Sequence, residues 1–124
     1  MGVFKVRARV WNVFDRSKSS EVELVVDSES TYTVLPASLL ARLGVTPARV
    51  VRLRVADGRV VEKKLGEVGI EVEGHALSAT RVVFGDEDVY LLGSLTLEDL
   101  EPAVDPVKKK LVPTEALLMV AESP

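Results

Sequence analysis

Apolar and polar residues alternate along most of this chain, which is the two-residue period of a half-buried β-strand. Over residues 3–13, Phe4, Val6, Ala8 and Val10 share one face, and Lys5, Arg7 and Arg9 share the other. The polar run 15–20 predicts a loop. Val22, Leu24 and Val26, alternating with Glu21 and Glu23, predict a second strand that pairs with the first as a hairpin. Residues 36–44 break the alternation. Pro36 suits a first helical turn and Gly44 a C-terminal cap, so one short helix is predicted there. Val51, Leu53 and Val55 oppose Arg52 and Arg54, and Asp57-Gly58 is a two-residue turn signal before the chain returns over 59–64. That hairpin shows little apolar surface and reads either as a solvated ribbon or as a mobile cover over a site. Val68, Ile70 and Val72 form the next strand, Gly74-His75 a turn, and 76–84 another strand. An acidic loop at 85–88 precedes the apolar strand 89–93. A second short helix follows, with Thr96 as its N-cap. Residues 104–112 read as a small hairpin whose lysines solvate the turn. The apolar segment 117–120 needs a covering surface, in this subunit or in another.

Many short strands with two short helices predict a mainly β domain, barrel-like in form. No linker or low-complexity tract divides the chain, so residues 1–124 are expected to form a single domain.

One stretch departs from the pattern. Val25-Val26-Asp27-Ser28-Glu29-Ser30-Thr31-Tyr32-Thr33-Val34-Leu35-Pro36 begins as an apolar strand and stops at an acid. Small hydroxyl residues surround that acid before the apolar signal resumes. A carboxylate held at the end of a strand can be aimed into a cleft. The same residues also suit an ordinary turn in which Asp27 bonds its own backbone.

Composition narrows the chemistry. The chain is 47% hydrophobic but only 5% aromatic, so its core is built mainly from aliphatic side chains. Its 16 basic and 19 acidic residues leave a formal charge of -3, against the basic excess expected of a nucleic-acid binder. The absence of cysteine excludes disulfides, thiolate metal sites and cysteine nucleophiles. A single histidine, His75, cannot build a multi-histidine zinc site, and no Gly-x-Ser-x-Gly elbow accompanies it. No phosphate-binding glycine loop, calcium-loop spacing, membrane-length apolar run or signal peptide is present. The expectation is a cytoplasmic protein without cofactor or metal, binding neither nucleic acid nor membrane. What remains is carboxylate chemistry: two Asp side chains sharing one proton hydrolyse a peptide bond without a metal.

The acid stretch resembles the active-site strand of the retropepsin-like aspartic proteases, the single-lobe family of retroviral proteases and their prokaryotic relatives. The family motif is Asp-Thr/Ser-Gly-Ala/Ser, followed by Thr-x-x-Leu-Pro and a short helix. Leu91-Leu92-Gly93 with the helix after it is similar to the family's second motif. The hairpin 52–64, with Ala56, Asp57, Gly58 and Arg59 at its tip, is similar to the flap. The three motifs occur in family order over nearly the whole chain. The resemblance implies an acid-protease-like closed barrel and a homodimer acting on peptide or protein substrates. Each subunit would supply one catalytic Asp27. Ser28 would bind across to the partner's loop, with Glu29, Ser30 and Thr31 completing the loop, and the apolar tail would pair with its twin.

Glu29 stands where the family has glycine. It adds a side chain to a tight turn, and a dimer would gather two Asp27 and two Glu29. Two such charges about 4 Å apart repel by roughly 4 kcal/mol at an effective dielectric near 20. Two functions follow: an aspartic endopeptidase, intact or weakened by Glu29, or a non-catalytic dimeric binding or regulatory module on the same fold.

Overall fold

The computed structural model of the protein describes residues 5–100, with the backbone of 103–105 and 110–112. Phe4, the lysine turn and the apolar tail lie outside the described residues.

The chain opens with β1 (Lys5–Asn12) and β2 (Asp15–Val26), paired antiparallel from Lys5↔Val25 to Asn12↔Asp15. Val6, Ala8 and Val10 are buried and Lys5, Arg7 and Arg9 exposed, as the alternation predicts. The predicted loop at 15–20 is instead strand. The turn is confined to Val13 and Phe14, and Phe14 stands 95% exposed at the tip. Asp15, Ser19 and Ser20 pair with β1, whereas Arg16, Ser17 and Lys18 fall in the register shift between Trp11 and Asn12 and stand exposed. Asp15 reinforces the start of β2, its Oδ1 accepting from the Ser17 N–H and hydroxyl at 3.1 and 2.6 Å.

β3 (Thr33–Pro36) leads into α1 (Ala37–Arg42). Pro36 occupies the N-cap position rather than the first helical turn, and Gly44 follows the C-cap as predicted. Bonds from Gly44 N–H to the Ala41 carbonyl and from Val45 N–H to the Leu40 carbonyl close the helix. β4 (Arg49–Arg54) pairs with β5 (Val60–Val72), which joins the two segments predicted separately. The turn into β6 (His75–Gly85) is Glu73-Gly74, both at positive φ, so His75 is the first residue of the strand rather than part of the turn. β7 is only Leu91–Leu92, shorter than the predicted 89–93. α2 (Ser94–Asp99) is capped by Gly93, not by Thr96, which lies inside the helix and is buried. β8 (Ala103–Asp105) and β9 (Lys110–Val112) form the small terminal hairpin.

The fold is mainly β with two short helices, as expected. The main sheet runs β1-β2-β7-β3-β6-β5-β4, and an extra β1–β5 pairing closes it into a ring, leaving β4 outside. The principal core includes Val10, Leu24, Leu35, Leu40, Ile70 and Leu92, all fully buried. Each such Leu or Ile contributes about 1.5–3 kcal/mol relative to exposure. A smaller cluster of Val51, Leu65 and Val83, packed by Tyr32, Val34 and Leu53, lies where β4 joins the sheet. It gives the β4–β5 hairpin an apolar root that its sequence did not reveal.

Candidate active site

The acid loop is positioned by an inserted strand. β2 enters the loop and β3 leaves it, yet the two do not pair with each other. β7 lies between them, parallel to β2 at Val26↔Leu92 and antiparallel to β3 at Val34↔Leu91. Residues 27–32 therefore arch over the end of β7. Asp27 N–H donates to the Leu92 carbonyl at 3.0 Å. Ser94 and Leu95 N–H donate back to the carbonyls of Ser30 and Thr31 at 2.7 and 3.1 Å. This arrangement brings the predicted Leu91, Leu92 and Gly93 against the predicted Asp27 loop.

Gly93 is required by space. A Cβ there would lie 2.4 Å from both the carbonyl carbon and oxygen of Tyr32 and 2.8 Å from the Thr33 nitrogen. Its N–H donates to the Thr33 hydroxyl at 3.1 Å. That hydroxyl donates to Thr96 at 2.7 Å, and Thr96 shares a further bond with Thr80 at 2.8 Å. The three threonines are buried and tie the start of β3, β6 and α2 together just beyond the loop. Sequence reasoning missed this network. Its available signal was Thr80, a hydroxyl in the apolar strand 76–84.

Within the loop, Asp27 is partly buried and its Oδ1 accepts from the Glu29 N–H at 3.0 Å. The self-bonded turn and the aimed carboxylate thus coexist. Ser30 Oγ donates to the Tyr32 carbonyl at 3.1 Å, while Ser28 and Thr31 are exposed. Glu29 is exposed, and its φ is not in the left-handed region. The turn therefore accommodates a side chain there.

Opposite the loop stands the tip of the β4–β5 hairpin. It is a three-residue connection, Ala56-Asp57-Gly58, rather than the predicted two-residue turn. Only Gly58 has positive φ, at 91°, whereas a two-residue type I′ turn would require it at both positions. Gly58 N–H donates to the Val55 carbonyl, and Val55 N–H to the Arg59 carbonyl, each at 2.9 Å. Asp57 accepts from the Arg59 backbone N–H at 3.0 Å and from its Nε at 2.7 Å. These bonds, the backbone one first, hold the Asp57 carboxyl below its usual value of 3.8. Arg54 donates to the Gly58 carbonyl at 2.8 Å.

Loop and hairpin enclose a cleft of ≈ 520 Å³. Asp27, Glu29, Ser30 and Thr31 line one side and Arg54, Val55 and Ala56 another, above an apolar floor that includes Val34, Leu53 and Val83. Ser28, Asp57, Gly58, Arg59, Leu92 and Gly93 do not line it. Arg54 and Leu53 lie in the hairpin the sequence marked but outside its named tip, and they meet Val34 and Val83 only through the fold. A cleft of this size, apolar with a few placed polar groups, has the make-up of a ligand site.

A strand-end carboxylate facing a hairpin across an apolar cleft, on a closed and mainly β sheet, defines the aspartic-protease class. Residues 13–100 match the family described as Aspartyl protease, so the chain belongs to that family. The structure is similar to the EIAV protease complexed with the inhibitor HBY-793, with a TM-score of 0.57 and 18% identity over 80% of this chain and 88% of that one. It is also similar to a retropepsin-like aspartic protease from Rickettsia conorii, with a TM-score of 0.47 and 24% identity over 78% of each chain. The first likeness shows a shared fold. No curated protein matches the sequence.

Proposed function

We propose that this chain, acting as a single retropepsin-like domain in the cytoplasm, is an aspartic endopeptidase that works as a homodimer. The observation that carries the reading is Asp27 in the wall of the ≈ 520 Å³ cleft, between the acid loop and the hairpin. One chain supplies one such aspartate, so the pair is completed by Asp27 of a second copy across a twofold axis. Two carboxylates so close share one proton, because like charges cannot both ionise. The ionised Asp27 takes a proton from water as the water oxygen bonds to the peptide carbonyl carbon. The protonated Asp27 donates to the carbonyl oxygen, and a tetrahedral intermediate forms. A proton then passes to the amide nitrogen, the C–N bond breaks, and acid and amine products leave. In this reading the β4–β5 hairpin acts as the flap, and the exposed Ser28 binds across to the partner's loop.

The test is cleavage of a quenched mixed-peptide library from acidic to neutral pH, with Asp27→Asn in parallel. The expected outcome is cleavage by the parent and loss in the variant. Equal cleavage by both overturns the reading.

Glu29 favours a second reading, a non-catalytic dimeric binding or regulatory module. Silence of the parent, with cleavage gained by Glu29→Gly, would identify Glu29 as the block. Silence of both would favour the binding module.

A further inference from the structure

Glu29 is the feature that the aspartic-protease reading leaves unexplained. It lines the cleft beside Asp27, is exposed, and forms no ion pair among the described residues. Arg54 is the cation of the same cleft, and its guanidinium donates to the Gly58 carbonyl across the hairpin. Two residues of chain reach at most about 7 Å, so Glu29 sits within roughly two substrate positions of the bond facing Asp27. Its backbone is fixed there by the 3.0 Å bond to Asp27 Oδ1. In a twofold assembly two Glu29 residues flank the aspartate pair, one on each side.

We infer that Glu29 selects substrates with a lysine or arginine next to the scissile bond. The inference rests on the homodimeric endopeptidase reading and names the substrate class of that site. A basic side chain adds a positive charge on the carboxylate side of the cleft, where the cleft's own cation, Arg54, is bonded to the Gly58 carbonyl. It pairs with Glu29 by a charge-assisted hydrogen bond and lowers the repulsion on the ionised Asp27. Neutral and acidic side chains at that position leave the repulsion in place. The glycine-to-glutamate departure then becomes a charge filter rather than a defect.

The test uses matched fluorescent peptides that differ only at the residues flanking one bond: lysine, norleucine or glutamate. Binding is followed by fluorescence polarisation and cleavage by chromatography, on the parent chain, Glu29→Gln and Glu29→Lys. Lysine peptides are expected to bind the parent about tenfold more tightly than norleucine peptides, a difference of about 1.4 kcal/mol. Glu29→Gln should bring the two within about twofold, and Glu29→Lys should transfer the preference to glutamate peptides. Equal binding of the three peptides to the parent overturns the inference, as does a lysine preference that survives Glu29→Gln. Binding is read without turnover. Cleavage with no charge preference therefore defeats this inference alone, whereas Glu29-dependent binding of lysine peptides without cleavage defeats the endopeptidase reading and leaves Glu29 selecting charge in a binding site.

Discussion

The acid loop and the β4–β5 hairpin face one cleft and are held in different ways. The loop is tied to β7 and α2 by backbone bonds, with buried hydroxyls of Thr33, Thr96 and Thr80 beneath it. Gly93 lies so close under it that no side chain fits. The hairpin tip bonds chiefly to itself, through Asp57 with Arg59 and Arg54 with the Gly58 carbonyl, all exposed. A Cβ on Gly58 would meet nothing within 4 Å. Position at the acid loop is enforced by packing and by buried hydrogen bonds that water cannot replace. Position at the tip rests on surface contacts that water competes for, each worth little. In the proposed endopeptidase, a carboxylate that must stay in register belongs on the first kind of support, and a flap that must admit a peptide belongs on the second.

The largest effect expected from breaking this contrast is at Gly93. Gly93→Ala pushes a methyl group into the Tyr32 backbone, which cannot swing aside, and is expected to cost about 3 kcal/mol. Gly58→Ala meets only the left-handed backbone penalty, about 1 kcal/mol. Urea midpoints of the two variants measure the difference, and equal losses would erase the contrast.

Thr96→Val probes the buried hydroxyls directly. It leaves Thr80 and the Thr33 hydroxyl proton without partners, at a cost of about 2 kcal/mol. Denaturation midpoints beside Thr96→Ser, which keeps the hydroxyl, separate the lost bonds from the lost shape.

The smallest effect is at Asp57. Its carboxyl is lowered from 3.8 by the Arg59 backbone N–H and side chain. The contribution is therefore complete above the ordinary value and disappears as pH falls through the lowered one. An NMR titration of the Asp57 carboxyl carbon should show a midpoint below 3.8, while Asp57→Asn leaves the urea midpoint at pH 7 nearly unchanged. A midpoint at or above 3.8 would contradict the tip geometry.

Much of this was legible in the chain. The alternation located most strands and the inward faces of β1 and β5, because a period of two states which side chains share a face. It failed at 15–20, where polarity was taken for a loop although Asp15, Ser19 and Ser20 pair with β1. It failed again at Thr96, where a buried hydroxyl looked like a cap. The hairpin tip was correctly placed, but its turn type depends on φ at two positions, and only Gly58 took the positive value.

Local pattern was enough to show that a strand ends at Asp27, that hydroxyls surround the acid, that a Leu-Leu-Gly segment follows late in the chain, and that Glu29 breaks the family motif. Tertiary structure alone decided that β7 enters between β2 and β3, that three threonines from separate elements meet beneath the loop, and that Arg54, Val55 and Ala56 close the cleft opposite Asp27. The physical reason is that local pattern fixes which face of a strand is buried. Which strands become neighbours is settled by the joint burial of those faces, and that is a property of the whole chain.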